Sequence, residues 1–115
     1  MNARIFHIVS EAVWSGAERT GEYAPESLST EGFVHFSFGD QVSATAAARF
    51  ADVPNLVVIE VDPQLLDVPV RVEDSYGSGT EFPHVYGPIP LQSVAGVHRL
   101  DDELFSGSGP SSPDR

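Results

Sequence analysis

The chain has 115 residues, 41% of them hydrophobic and none of them cysteine. That size allows one domain with one core, and it excludes both a disulfide framework and thiolate chemistry. Seventeen acids against six bases leave a net charge of −11, and the six arginines are scattered, so long nucleic acids and anionic membranes are excluded as partners.

No run approaches the ~20 apolar residues of a membrane span, and Met1-Asn2-Ala3-Arg4 is followed by no apolar signal segment. A cytoplasmic protein is therefore expected. Arg4 to Val9 is rich in β-branched and aromatic residues and reads as a central strand covered on both faces. Ser10 follows as an N-cap, with Glu11 in the first turn of a helix. Ala12, Val13, Trp14 and Ala17 give that helix its apolar side, and Gly21 is placed to stop it. Tyr23 to Leu28 is a connector with room for one helical turn.

Phe33 to Ser37 reads as a second strand, which Gly39 breaks and Asp40 follows as a cap. The next helix is expected over 41–51, with Val42, Ala46 and Phe50 at i, i+4, i+8 on its buried side. Asn55 to Asp62 is a strand buried on both sides. Val70 to Glu73 is a short alternating strand, with Arg71 and Glu73 on one face. Tyr76 to Gly79 is a loop. Phe82 to Tyr86 is extended, and Pro83 and Pro88 place it at a sheet edge unless it is bulged. Gly87-Pro88-Ile89-Pro90 is a bend, and Val94 to Leu100 is a last strand. Residues 106–115 offer no large apolar side chain and read as a disordered tail, leaving a single domain over 1–105. The order β-α-β-α-β followed by strands alone implies α+β, with small mixed or antiparallel sheets and two main N-terminal helices.

Three of the four histidines sit in apolar blocks: Phe6-His7-Ile8, Glu31-Gly32-Phe33-Val34-His35-Phe36-Ser37, and Phe82-Pro83-His84-Val85-Tyr86-Gly87-Pro88. A buried polar group without a partner costs ~1–3 kcal/mol. Three such placements in one small chain suggest a shared polar site. His35 and Ser37, two apart on a strand, are expected on one face, as are His84 and Tyr86. Each residue has a plainer use. His7 could be a core histidine bonded to a backbone carbonyl. Ser37 could cap the helix that follows it. Glu73 could be a solvated edge acid. His84 and Tyr86 could tie the late strands to the core. Arg49 could clamp a phosphate or join a surface salt bridge. A metal set of His7, His35, His84 and Glu73 is conceivable, but no ligand spacing such as His-x-His supports it.

These blocks, with "Leu-Val-Val-Ile-Glu-Val-Asp" between them, make the chain from Ile5 to Leu100 resemble the domain-of-unknown-function 952 family. That family is similar in fold to the ADP-ribosyltransferase superfamily, whose members bind NAD or an ADP-ribosylated intermediate in a cleft between two small sheets. The resemblance implies a ligand-contacting role for His7 and a second motif at His35 and Ser37. It also implies a late-strand group contacting the reacting ribose, for which Glu73 is the first choice and Glu81 and His84 the rivals. Under it, Glu73, His35 and His84 form the catalytic set. His7, Ser37, Phe82, Tyr86 and Arg49 form the ligand-binding set, with Tyr86 or Phe82 stacking a ring. The implied activity is binding of NAD or a related nucleotide, with transfer or hydrolysis of its ADP-ribose. A non-catalytic small-ligand-binding or interaction domain competes with it, and a metal-dependent enzyme stands third.

Overall fold

A computed structural model describes residues 3–74 and 77–101. The chain opens with β1 (Ile5–Ser10), α1 (Glu11–Thr20), β2 (Glu22–Tyr23), α2 (Ser27–Thr30), β3 (Val34–His35) and β4 (Ser37–Phe38). It continues through α3 (Val42–Arg49), β5 (Leu56–Val61), β6 (Val70–Glu73), β7 (Phe82–Val85), β8 (Ile89–Pro90) and β9 (Val94–Arg99). Every strand pairing among the described residues is antiparallel. The sheets are β4-β1-β5-β9, β3-β7-β6 and the two-stranded β2-β8. No described helix is long and apolar enough to cross a membrane.

The first strand is central, as its continuous apolar run implies. Ile5 and Val9 face a main core shared with Trp14, Tyr23, Val34, Phe36, Ile59 and Val85. Phe6 and Ile8 face a smaller core with Val42, Ala46 and Val58. Ser10 caps α1, its Oγ accepting the Val13 N–H at 3.3 Å. Gly21 closes the helix at φ 89, a left-handed conformation suited to glycine. Val13, expected on the buried side, is 54% exposed. The buried residues of the helix are Trp14 and Ala17.

Four further expectations are corrected. Phe33–Ser37 is not one strand: β3 and β4 flank Phe36 and belong to different sheets. Tyr23 is no connector residue, but pairs with Ile89 in the two-stranded sheet, so Ile89–Pro90 is strand rather than bend. Asp40 makes no cap: the Gln41 side chain accepts the Phe38 N–H at 2.8 Å, a 3₁₀ turn spans Gly39–Gln41, and α3 then stops at Arg49. Lastly, β7 is the middle strand of its sheet despite Pro83. The Pro83 carbonyl accepts the Phe36 N–H at 3.0 Å, so its backbone faces β3. Pro83 has no N–H to return to the Phe36 carbonyl, and that loss falls on the last rung of the β3 ladder, where the chain leaves for the other sheet. Tyr76 and the tail expected over 106–115 lie outside the described residues.

Candidate functional site

The switch at Phe36 makes the cleft. β4 pairs only with Ile5 and Phe6, while β5 pairs with β1 along its whole length. From His7 to Ser10, β1 therefore has an open edge. The Glu11 N–H donates to the Asn55 carbonyl at 2.8 Å, continuing the β1–β5 register. Antiparallel alternation then turns the backbone of His7 and Val9 toward β5 and that of Ile8 toward the open edge.

A cavity of about 490 Å³ lies along this edge, and His7, Ile8, His35, Ser37, Phe82 and His84 line it. Much of its remaining wall is apolar or aromatic, including Phe6, Phe36, Phe50 and Leu56. Among its described lining residues Arg49 is the one permanent cation and Glu26 the one carboxylate. The three histidines of the sequence blocks thus border a single cavity.

His7 is held by protein on both sides. Its Nδ1 lies 2.6 Å from the His35 carbonyl, which can only accept, so Nδ1 carries the proton. Its Nε2 then accepts from the Tyr23 hydroxyl at 2.7 Å. Burial pushes the His7 pKa down to about 4, against the opposing pull of that carbonyl. Burial likewise pushes the Tyr23 hydroxyl up to about 12. His7 is therefore a neutral ring that clamps β1 to β3 across the cleft. The contact is the backbone-carbonyl bond of the plainer reading, made by a ring that also borders the cavity.

His84 is 1% exposed and its Nδ1 lies 3.1 Å from Glu73 Oε2. A carboxylate only accepts, so Nδ1 carries the proton and Nε2 is the basic nitrogen. The Tyr86 hydroxyl donates to the same Oε2. The bonds from Tyr86 and His84 hold the Glu73 carboxyl below its usual range, and the bond to Glu73 raises the Tyr86 hydroxyl. Phe33 stacks on the His84 ring, centroids 4.1 Å apart and planes at 20°. The His35 ring meets His84 edge-on at 5.4 Å and places Nε2 3.1 Å from Glu31 Oε1. Two imidazoles, each with a carboxylate, thus touch at the cavity wall.

Glu73 and Tyr86 do not line the cavity; they stand behind His84. Glu81 is exposed and does not line the cavity, and its carbonyl accepts from Gln41 Nε2 at 2.9 Å. Ser37 and His35, expected on one strand face, come from separate sheets to the same cavity. Ser37 Oγ does not cap the following helix, but donates to Thr45 Oγ1 at 3.3 Å. Of the other expected residues, Arg49, in the last turn of α3, and Phe82 do stand at the wall. Among the described residues no group of three or more histidine, cysteine or acidic side chains is placed to hold a metal ion.

Tyr23, Phe33, Glu31 and Thr45 escaped the sequence reading. Glu31 and Phe33 lay within the quoted histidine block, where i, i+4 and i, i+2 spacing to His35 was a usable sign. Tyr23 reaches His7 only through the β2–β8 pairing, which no local pattern marks.

A family described as "Protein of unknown function (DUF952)" matches residues 8–97 of the chain. No curated protein matches it. Among solved structures, the crystal structure of protein CC0527 from Caulobacter crescentus is 34% identical, with a TM-score of 0.72 and coverage of 82% of each chain. The crystal structure of a double mutant of CC0527 is 33% identical, again with a TM-score of 0.72 over 82% of each chain. The solution NMR structure of CC0527 is also 33% identical at a TM-score of 0.72, covering 83% of this chain and 82% of that one. None of these descriptions states an activity.

Proposed function

The chain belongs to the family described as protein of unknown function (DUF952), and we propose that within it the cleft is a small-molecule site for NAD or a related nucleotide, acting on its ADP-ribose. The observation that carries this reading is the convergence of His7, His35 and His84 on one cavity of about 490 Å³. That volume falls within the range of small-molecule sites, ~300–1,000 Å³. Its aromatic and aliphatic walls suit a flat ring. The outward N–H and C=O of Ile8 suit an amide-bearing one, which offers one acceptor and one donor side by side. Ser37 and Thr45 supply hydroxyls for sugar oxygens, and Arg49 supplies a cation for a phosphate.

In this reading His84 is the group positioned for chemistry. Glu73 holds its Nδ1–H, so Nε2 accepts or delivers the proton of a ribose hydroxyl or an attacking water. Glu73 itself acts through His84, by fixing its tautomer and ring orientation. One observation favours a binding-only domain: the carboxylate is occupied by His84 and Tyr86 and stands behind the wall.

The test is NMR titration with NAD, ADP-ribose and nicotinamide, run beside chromatography for released nicotinamide. Chemical-shift changes at Ile8, Ser37 and His84 together with release are expected for the enzyme. Shifts without release assign a binding domain. Absence of both with all three compounds overturns the reading. His84→Ala is expected to abolish release while leaving nicotinamide-induced shifts at Ile8.

A further inference from the structure

The β3-β7-β6 sheet ends on β6, and its hydrogen bonding decides which way that strand's backbone faces. The Tyr86 N–H donates to the Pro69 carbonyl at 2.9 Å. The register continues as Arg71↔His84 and Glu73↔Phe82, so Arg71 and Glu73 turn their backbones toward β7. Val72 lies opposite Pro83, which has no N–H to give, in agreement with that parity. Val70 and Val72 therefore turn N–H and C=O outward. No described strand pairs with this edge, and the Val72 side chain is 49% exposed.

The side chains on the edge are incomplete in a matching way. Arg71 makes no ion pair among the described residues and lies over the Tyr86 ring at 5.2 Å. The hydrogen bonds to Glu73 go to Oε2, leaving Oε1 without a described donor.

We propose that β6 pairs with β6 of a second copy, antiparallel, about a two-fold axis at Val72. In that register Val72 faces the partner's Val72 as a hydrogen-bonded pair, the type that its outward N–H and C=O require. Arg71 then faces the partner's Glu73, and Glu73 the partner's Arg71, in non-hydrogen-bonded positions where opposing side chains come closest. The outward parity allows even shifts only. The neighbouring registers set Arg71 against the partner's Arg71, or Glu73 against the partner's Glu73, which like charges disfavour. The edge thus selects one register and one occupant, a second copy, because an isologous contact requires this reciprocal pairing. Two three-stranded sheets become one of six. The partner's Arg71 also reaches the carboxylate that seats His84, which couples assembly to the candidate site. The proposal is independent of which ligand the cleft takes. The charge of −11 on each chain opposes association, so salt strengthens it.

Sedimentation equilibrium tests this at about 10–500 µM protein, in low and in ~0.5 M salt. The expected species has twice the 12.4 kDa chain mass, with the tighter association in high salt. Val72→Pro removes an outward N–H that the β7 ladder does not use, and Arg71→Glu sets acid against acid. Each should weaken the dimer at least tenfold. Amide exchange at Val70 and Val72 in the unsubstituted protein gives a readout that does not depend on a variant folding, and it should slow as concentration rises. A single 12.4 kDa species across this range overturns the proposal. So does a dimer in which exchange at Val72 is independent of concentration.

Discussion

His7 and His84 border the same cavity but have opposite hydrogen-bond economies. His7 has one nitrogen donating to a carbonyl and the other accepting from a hydroxyl, so its neutral form is the satisfied one. Its pKa falls from 6.5 in the ordinary case to about 4 in the fold, because burial disfavours the charged ring. Below pH 6.5 the unfolded chain takes up the proton first. Stability from this group is complete near pH 7 and is lost as pH falls from 6.5 toward 4, at up to about 1.4 kcal/mol per pH unit. His7→Phe should cost ~1–3 kcal/mol at pH 7, since it leaves the Tyr23 hydroxyl and the His35 carbonyl without their partner. It should also flatten the acid slope. Urea midpoints at pH 7 and pH 4.5 for both proteins decide this, and parallel slopes would remove His7 as the titrating group. His84 instead donates its Nδ1–H to the Glu73 carboxylate, whose Oε2 also accepts from the Tyr86 hydroxyl.

At the scale of elements, the site depends on how strands β3, β4 and β7 end. Phe36 is buried in the main core and acts as the pivot at which the chain leaves one sheet for another. The connection after β7 is packed just as tightly. A Cβ on Gly87 would stand 2.5 Å from Val68 Cγ1 and 2.9 Å from its Cβ, and Val68 itself packs against the main core. Gly87→Ala is therefore expected to destabilise by ~1–3 kcal/mol through overpacking. Adding Val68→Ala to that variant should recover most of the loss in thermal melts. A melting temperature unchanged by Gly87→Ala would show that the Val68 segment yields freely. The first helix and its two caps, Ser10 and Gly21, were legible in the sequence because cap chemistry acts within four residues. The split of residues 33–38 was not. A run of alternating apolar residues looks the same whether its neighbours belong to one sheet or two.

For the whole molecule the governing quantity is charge. Seventeen acids on 115 residues repel one another in the folded state more than in the expanded chain. Described compensation is local: Glu60 bonds Arg4 at 2.9 Å and His98 at 2.7 Å on the sheet face that also carries Phe6 and Val58. Raising salt from about 20 to about 300 mM should lift the melting temperature by several degrees as the Debye length shortens below ~10 Å. A flat response in scanning fluorimetry would mean that the acids are already too far apart to interact.

The amino-acid order by itself determined the first strand, the first helix with its two caps, the shared face of Arg71 and Glu73, and the three blocks that border the cavity. Each of these follows from side-chain periodicity or backbone preference within a few neighbouring residues. Only the tertiary structure decided that Glu73 stands behind His84 and that Tyr23 and the His35 carbonyl fix the tautomer of His7. It also decided that β7 takes a central place with its proline at the end of a ladder. The side-chain contacts join residues from 11 to 28 positions apart, and the β3–β7 pairing sets His35 against His84, 49 positions on. They depend on which strands become neighbours, and no short stretch of chain carries that information.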